Sequence, residues 1–359
     1  MVKKTSIILW SLFVLLLFFS GFRWDVGIDW KSYVNSMQNE ALLEHYEFGN
    51  LLIRNLLHSY GYVDGRYWLW VMALLTLFFF FYSIKQYSVN PAYSAILFIC
   101  LGPYWDSLNG VRQFLSIALF AYSWQFLIHK QFIRYAITIL VASCFHFSAL
   151  MLLPIYFMAR IKFRKKVLIN LFMLTIPLSF FLPSVLSQIA SLFSRYEVYA
   201  TSKFIQSNPN VLSNLRCIFP TILFIVCMVL YDKLKEKNIV FLNLSLIYIF
   251  LTMLFPNISL MIRIGFYFQV AFIFLIPLIN QCVSRMNGQL FNVFVICYGS
   301  AFIFITQLSR PVSNIIPFEL KFDLLGCSLL LILALAFACA GIFIKITHWK
   351  DHKAIIKHK

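Results

Sequence analysis

The stretch MVKKTSIILWSLFVLLLFFSGF, Met1–Phe22, decides the class of this fold. Lys3 and Lys4 precede an apolar run from Ile7 to Ser20, and no small-residue cleavage site follows. It is therefore read as a retained first membrane span rather than a signal peptide. Working outward, similar runs recur along all 359 residues. The chain is 61% hydrophobic and 12% charged, with a mean hydropathy of +0.82. That balance leaves no soluble domain of useful size. Inside a bilayer the backbone must satisfy its own hydrogen bonds, and runs of this length rich in Leu, Ile and Phe do so as helices, not as barrel strands.

The expected fold is an all-α polytopic membrane protein of about twelve transmembrane helices, with ten to twelve allowed by the short runs. The expected spans are 5–22, 67–84, 91–105, 111–128, 132–145, 147–160, 166–182, 217–231, 238–255, 261–280, 290–308 and 324–345. Several fall short of the ~20 residues that a perpendicular helix needs. The pairs 91–105/111–128 and 132–145/147–160 read equally as two short spans or as one span and a re-entrant hairpin. Residues 1–359 form a single integral membrane domain with a first outer loop at 23–66, a second at 183–216 and a basic cytoplasmic tail at 346–359.

Charge sets the orientation. With both termini cytoplasmic, the inner side holds 19 of the 30 basic residues but 3 of the 13 acidic ones. The remaining 11 basic and 10 acidic residues then lie outside. This is the positive-inside bias, so the net charge of +17 is an orientation signal rather than a nucleic-acid surface. The eight cysteines are scattered, without CxxC pairs or ligand-spaced histidines, which points to apolar filler rather than metal or disulfide chemistry. No P-loop, GxGxxG or DxD pattern occurs on the cytoplasmic side. No nucleotide, cofactor, metal or nucleic acid is therefore expected.

The outer face carries the polar chemistry. In the first outer loop, Val34–His58 is expected to form an interfacial helix with Met37, Leu43, Phe48, Leu51, Leu52 and Leu56 on its apolar side. Asp29 lies in Arg23–Tyr33, at the exit of the first span, where partial desolvation tunes a carboxylate for proton transfer. It is the candidate base, with Asp25 a further choice; the competing reading is a structural pair with Arg23. Trp24, Trp30 and Tyr33 read either as interfacial belt residues or as a platform for sugar rings. Arg112 opens a span at Asn109-Gly110-Val111-Arg112-Gln113, where free helix N–H groups and a guanidinium together suit a diphosphate; snorkelling is the alternative. His146 interrupts an apolar stretch, as a hydrogen-bonded structural residue or as a site residue. Arg195-Tyr196-Glu197-Val198-Tyr199 lies in the second outer loop, and Arg263 sits just inside a span, where an anion or acid must offset its cost. Arg23, Arg112, Arg195, Arg216 and Arg263 thus cap five segments, and arginine holds phosphate by two prongs where lysine offers a point charge.

At these residues the chain resembles the EpsG family of polysaccharide polymerases, which are related in role to the Wzy O-antigen polymerases. The family pattern is matched after the first span by Arg23, Gly27, Asp29, Trp30 and Tyr33, then by Glu47-Phe48-Gly49. Asn109, Arg112 and Gln113 match an Asn-x-x-Arg-Gln, and Phe145 to Ala149 a Phe-His-x-Ser-Ala. Arg195, Tyr196 and Tyr199 follow, then Arg263 with Tyr267, and last Asn314-Ile315-Ile316-Pro317-Phe318-Glu319. The matched pieces extend over about 22–320. Trp30 stands where Tyr is usual, and nothing after Asp323 matches.

The resemblance implies a bacterial cytoplasmic (inner) membrane enzyme whose site faces the periplasm or outside. It would move a growing glycan from one polyprenyl-diphosphate carrier to the sugar of another, in membrane lipid, with a chain-length regulator protein as a further partner. The implied catalytic residues are Asp29, Glu47 as alternative base, and His146. Arg23, Arg112, Arg195, Arg263, Gln113, Tyr33, Trp30, Tyr196 and Tyr267 are implied to bind substrate. A polyprenyl-phosphate-dependent branch-sugar transferase needs the same outward base and arginines. A lipid-linked oligosaccharide flippase would instead line a central cavity with its charges.

Overall fold

The computed structural model describes residues 2–191, 211–308 and 314–322. It is helical almost throughout. The helices are α1 (Val2–Phe22), α2 (Trp30–Gln38), α3 (Phe48–Ser59), α4 (Gly65–Tyr87), α5 (Pro91–Cys100), α6 (Pro103–Asn109), α7 (Val111–Ile128) and α8 (Phe132–Ser143). After a 3-10 helix at Phe147–Leu152 come α9 (Ile155–Met158), α10 (Lys165–Ser191), α11 (Val211–Val229), α12 (Tyr231–Leu254), α13 (Ser259–Gln269), α14 (Phe272–Asn280) and α15 (Arg285–Ile303). Two residues, Arg23–Trp24 (β1), pair antiparallel with Glu319–Leu320 (β2), so the exit of the first helix is tied to a segment near 320.

The chain is a membrane protein by its helices. Four helices among the described residues are long and apolar enough to cross a bilayer, and a fifth crossing comes from α13 and α14 taken together across a 49° bend. The other apolar helical stretches, Ile7–Phe22, Pro91–Cys100, Phe132–Ser143, Phe147–Met158 and Leu215–Val229, are 10–17 residues long. The expected run at 91–105 is not one helix. Gly102, at φ +107°, ends α5, and Pro103 starts α6, because only glycine takes that backbone without strain. The run at 147–160 begins as a 3-10 helix and contains a single four-residue α-turn. The expected span 324–345 and tail 346–359 lie outside the described residues.

Local chemistry explains the helix starts. Asp64 accepts from the Arg66 N–H, and Asn90 accepts from Tyr93 N–H with Pro91 in the first turn. Within Tyr231–Leu254, Asn238 is extended, and its side chain caps the N–H groups of Val240 and Phe241. The continuous interfacial helix expected over Val34–His58 is broken in two. Asn39 turns extended and caps a 3-10 turn at Glu40–Leu42, and Glu47, also extended, begins α3. Arg54 closes the gap between the halves, donating from Nε to the Met37 carbonyl and from Nη1 to Glu40. On α3 the apolar face survives as Phe48, Leu52 and Leu56, 67%, 56% and 57% exposed, while Asn50, Arg54 and Leu57 face the protein.

The core centres on α7, which packs against α4 and α8 and buries Phe114, Ile117, Phe120, Ala121 and Trp124. Between helices in lipid such fitting rests on close van der Waals contact rather than on water exclusion. Outward faces such as Ile7 and Val14 of α1, or Leu290 and Val293 of α15, stay apolar and exposed.

The contacts sort the charges to two ends of the bundle. At one end Lys85 stacks on Trp10, Lys237 reaches Gln281, and Asn243 of α12 donates to the carbonyls of Ala159 and Ile161. At the other end lie β1, α2, α3 and the starts of α7, α11 and α13, with Arg23, Arg112, Arg216 and Arg263. The orientation reading then has a direct check. Cysteine placed at exposed Asn55 is expected to react with an impermeant thiol reagent in intact cells, and cysteine at Lys130 only after permeabilisation, on a background freed of native cysteines. The reverse pattern would invert the topology.

Candidate active site

Four stretches far apart in sequence converge at the second end of the bundle. Glu47 is the hub. As the residue preceding α3 it accepts from Arg112 Nη1 at 2.7 Å, from Asn50 Nδ2 at 3.0 Å and from the Phe147 N–H at 3.3 Å. His146 Nδ1 sits 3.5 Å away, within ion-pair distance but without hydrogen-bond alignment. Asn50 also donates to the Phe145 carbonyl, and Gly49 N–H to that of Cys144. The start of α3 is thereby fastened to the end of α8. Burial pushes the Glu47 carboxyl up, but the His146 contact and the Arg112 charge outweigh it, and the pKa ends below the ordinary value. A carboxylate with that many donors is a weak proton acceptor and a good anchor.

Arg112 is held from three sides. Its guanidinium lies 4.5 Å over the Tyr46 ring, its Nη1 is on Glu47, and the Tyr33 hydroxyl is a further neighbour. Among the described residues its Nε is buried with no hydrogen-bond partner. A buried guanidinium N–H left without a bond suits an incoming anion.

Asp29 is different in kind. It caps α2 without a side-chain cap bond, so the carboxyl is not committed to its own helix. Burial raises its pKa above the ordinary carboxylate value, and the charges of Arg263 and Arg112 pull it partly back. Arg23 is not its partner. That guanidinium is buried, donates to the Leu108 carbonyl at 2.7 Å and has its pKa lowered to about 10 by burial. Its side chain lines a cavity of about 10 Å³, room for a single water, rather than the Glu47 cluster. Asp25 pairs with exposed Lys31 at 2.7 Å.

The loop holding Asp29 is braced from both directions. The Ile28 N–H donates to Asn109 Oδ1 at 2.7 Å, the Gly27 N–H to the Asn314 carbonyl at 2.7 Å, and Asn314 Nδ2 to the Asp25 carbonyl at 2.6 Å. The late motif around Asn314 thus clamps the early one. Gly27 has φ +99°, and a Cβ there would lie 2.7 Å from Asn109 Oδ1. Gly27→Ala is therefore expected to store about 1–3 kcal/mol of backbone strain and to displace Asp29. Activity should fall further than thermal stability; unchanged activity would show the loop's shape to be unimportant.

Other expected site residues take supporting positions. Trp30 and Tyr33 are 5% and 8% exposed, packed on Trp24 and Trp68, and offer no open face to a sugar. Trp24 itself carries Lys321 and Arg66 over its ring. Gln113 donates to the Arg263 carbonyl, and buried Tyr267 shares a hydrogen bond with Ser148, so both tie α13 to the α7–α8 region. Arg195 and Tyr196 lie outside the described residues. Sequence reading passed over Asn50 and Tyr46. An Asn three residues after Glu47 at a helix start was the available signal for the first; the second carries none. Among the described residues no cluster of His, Cys, Asp or Glu is arranged to hold a metal.

Comparison with known proteins gives one relationship. The sequence model of the EpsG family matches residues 6–320, most of the chain. No curated protein and no solved structure matches.

Proposed function

Because the chain belongs to the EpsG family, a polysaccharide polymerase-like family, we propose that it is a membrane glycosyltransferase that joins polyprenyl-diphosphate-linked oligosaccharide units into a surface polysaccharide such as O-antigen. The observation that carries this reading is the convergence of Asp29, with its raised pKa, on the charges of Arg112 and Arg263, beside the Glu47–Arg112–His146 cluster. In this proposal the site faces the outer side of the bacterial cytoplasmic membrane.

The acceptor hydroxyl attacks the anomeric carbon of the donor glycan, and Asp29 takes the hydroxyl proton. The bond from that carbon to the diphosphate oxygen breaks, and the diphosphate leaves with the bonding pair. Arg112 and Arg263 neutralise the charge that develops on it, as preorganised cations do in a site shielded from water. Glu47 is a positioning residue in this scheme. It holds Arg112 and His146 in place, and the low pKa that suits this task unsuits it as the base. A chain-length regulator is the expected protein partner, and the chemistry calls for no cofactor.

Surface glycan from a deletion strain tests the proposal. Loss of a polymerase leaves single repeat units on the lipid carrier. Long chains of altered composition would indicate a branch-sugar transferase instead, and units trapped on the inner side a flippase.

A further inference from the structure

A second cleft, largely apolar with a few polar groups, lies apart from the Glu47 cluster, between α11, α12, α13 and α15. Arg216, Tyr248, Gln269 and Tyr298 line it with Phe219 and Phe302, and about 40 Å³ of it is open to water-sized molecules, space for roughly two or three waters. Arg216 is loosely held. Among the described residues its hydrogen bond is a 3.5 Å contact to the Pro256 carbonyl, at the limit of what counts as a bond. Asp106 of α6 is near enough for the Arg216 charge to act on it, though burial dominates and lifts its pKa to about 7.

Below Arg216 the wall is an aromatic ladder. Phe219 stacks on Tyr298 at 5.2 Å, Tyr298 on Phe302 at 6.0 Å, and Phe294 adjoins Tyr298 at 6.1 Å. The flanking helices turn Ile218, Ile225 and Val293 outward as exposed apolar surface, which in a membrane protein faces acyl chains. A cation beside an aromatic ladder, on helices whose outer faces meet lipid, matches one chemistry: a prenyl-type tail carrying a phosphate or diphosphate headgroup.

We propose that Arg216 and the space beside it take one phosphate group of a second lipid-linked diphosphate, the acceptor's carrier, while Arg112 and Arg263 face the donor's. The assignment to the acceptor rests on the polymerase reading, since joining two carrier-linked units brings two anionic lipids to one protein. Occupation of the cleft by a lipid diphosphate does not depend on that reading. The charge of ionised Asp106 opposes an anion at Arg216, so the two side chains have opposite effects on binding.

The test uses the full chain in zwitterionic phosphatidylcholine nanodiscs, a diazirine-bearing geranylgeranyl diphosphate as probe, and peptide mapping of the crosslinks. Labelling is expected on α11 and α15 as well as near Arg112. Arg216→Ala should cut the α11 and α15 labelling about tenfold, equivalent to one charge-assisted hydrogen bond, and spare the rest. Asp106→Asn should raise it. A drop in both variants would make the pair a structural clasp and overturn the proposal. So would labelling that anionic phosphatidylglycerol displaces and inorganic diphosphate does not, since that describes ordinary annular lipid. Labelling that follows the expected pattern, together with unaltered surface glycan in a deletion strain, would keep the lipid-diphosphate seat and remove the polymerase reading.

Discussion

Asp29→Asn is expected to abolish chain growth while the protein still inserts at normal levels. The substitution keeps size and polarity and removes the proton acceptor, a change that typically costs about 10²–10⁴-fold in rate where a general base is used. The neighbouring variants give the contrast. Asp25→Asn removes only a pair with exposed Lys31, and such pairs contribute little, so near-normal activity is expected. Arg23→Ala removes a buried donor from the Leu108 carbonyl and should reduce the amount of folded protein instead. Equal loss of folded protein in Asp29→Asn and Arg23→Ala would make Asp29 structural. The pH profile adds a second readout. A base works deprotonated, and burial has raised the Asp29 pKa, so the acidic limb of activity should lie at higher pH than an ordinary carboxylate's. Loss of that limb in a residually active variant would support the assignment; an unshifted limb would count against it.

Arg112→Ala is the second large effect. Removing a preorganised stabiliser of developing charge costs on the order of 3 kcal/mol, a hundredfold or more in rate. Here it also strips Glu47 of its 2.7 Å partner and leaves a carboxylate facing His146 alone among the ionisable side chains of the cluster. Arg112→Lys should be impaired as well, because one ammonium cannot both hold Glu47 and present a second donor to phosphate. Arg263→Ala should reproduce the rate loss without disturbing the Glu47 cluster. Its helix is held through the Arg263 backbone carbonyl by Gln113, and that bond survives the substitution. Full activity of both alanine variants at normal protein levels would remove the arginines from the site.

The sequence by itself determined the membrane class, the helical character and most of the pieces of the candidate site. Hydropathy is a local property, so the apolar runs at 111–128 and 238–255 closely match α7 and the part of α12 beyond Asn238. Polar residues interrupting such runs are costly in lipid, which is why Arg112, His146 and Arg263 stand out in the sequence. Tertiary structure decided what those residues touch. The bonds of Glu47 span 65 residues to Arg112 and 100 to Phe147, and Asn314 reaches back 289 residues to Asp25. No periodicity encodes such distances. They follow from how α3, α7 and α8 pack, and that packing made an anchor of Glu47, buried Trp30 and Tyr33 away from any sugar, and broke the helix expected over Val34–His58 where Asn39 and Glu47 turn extended.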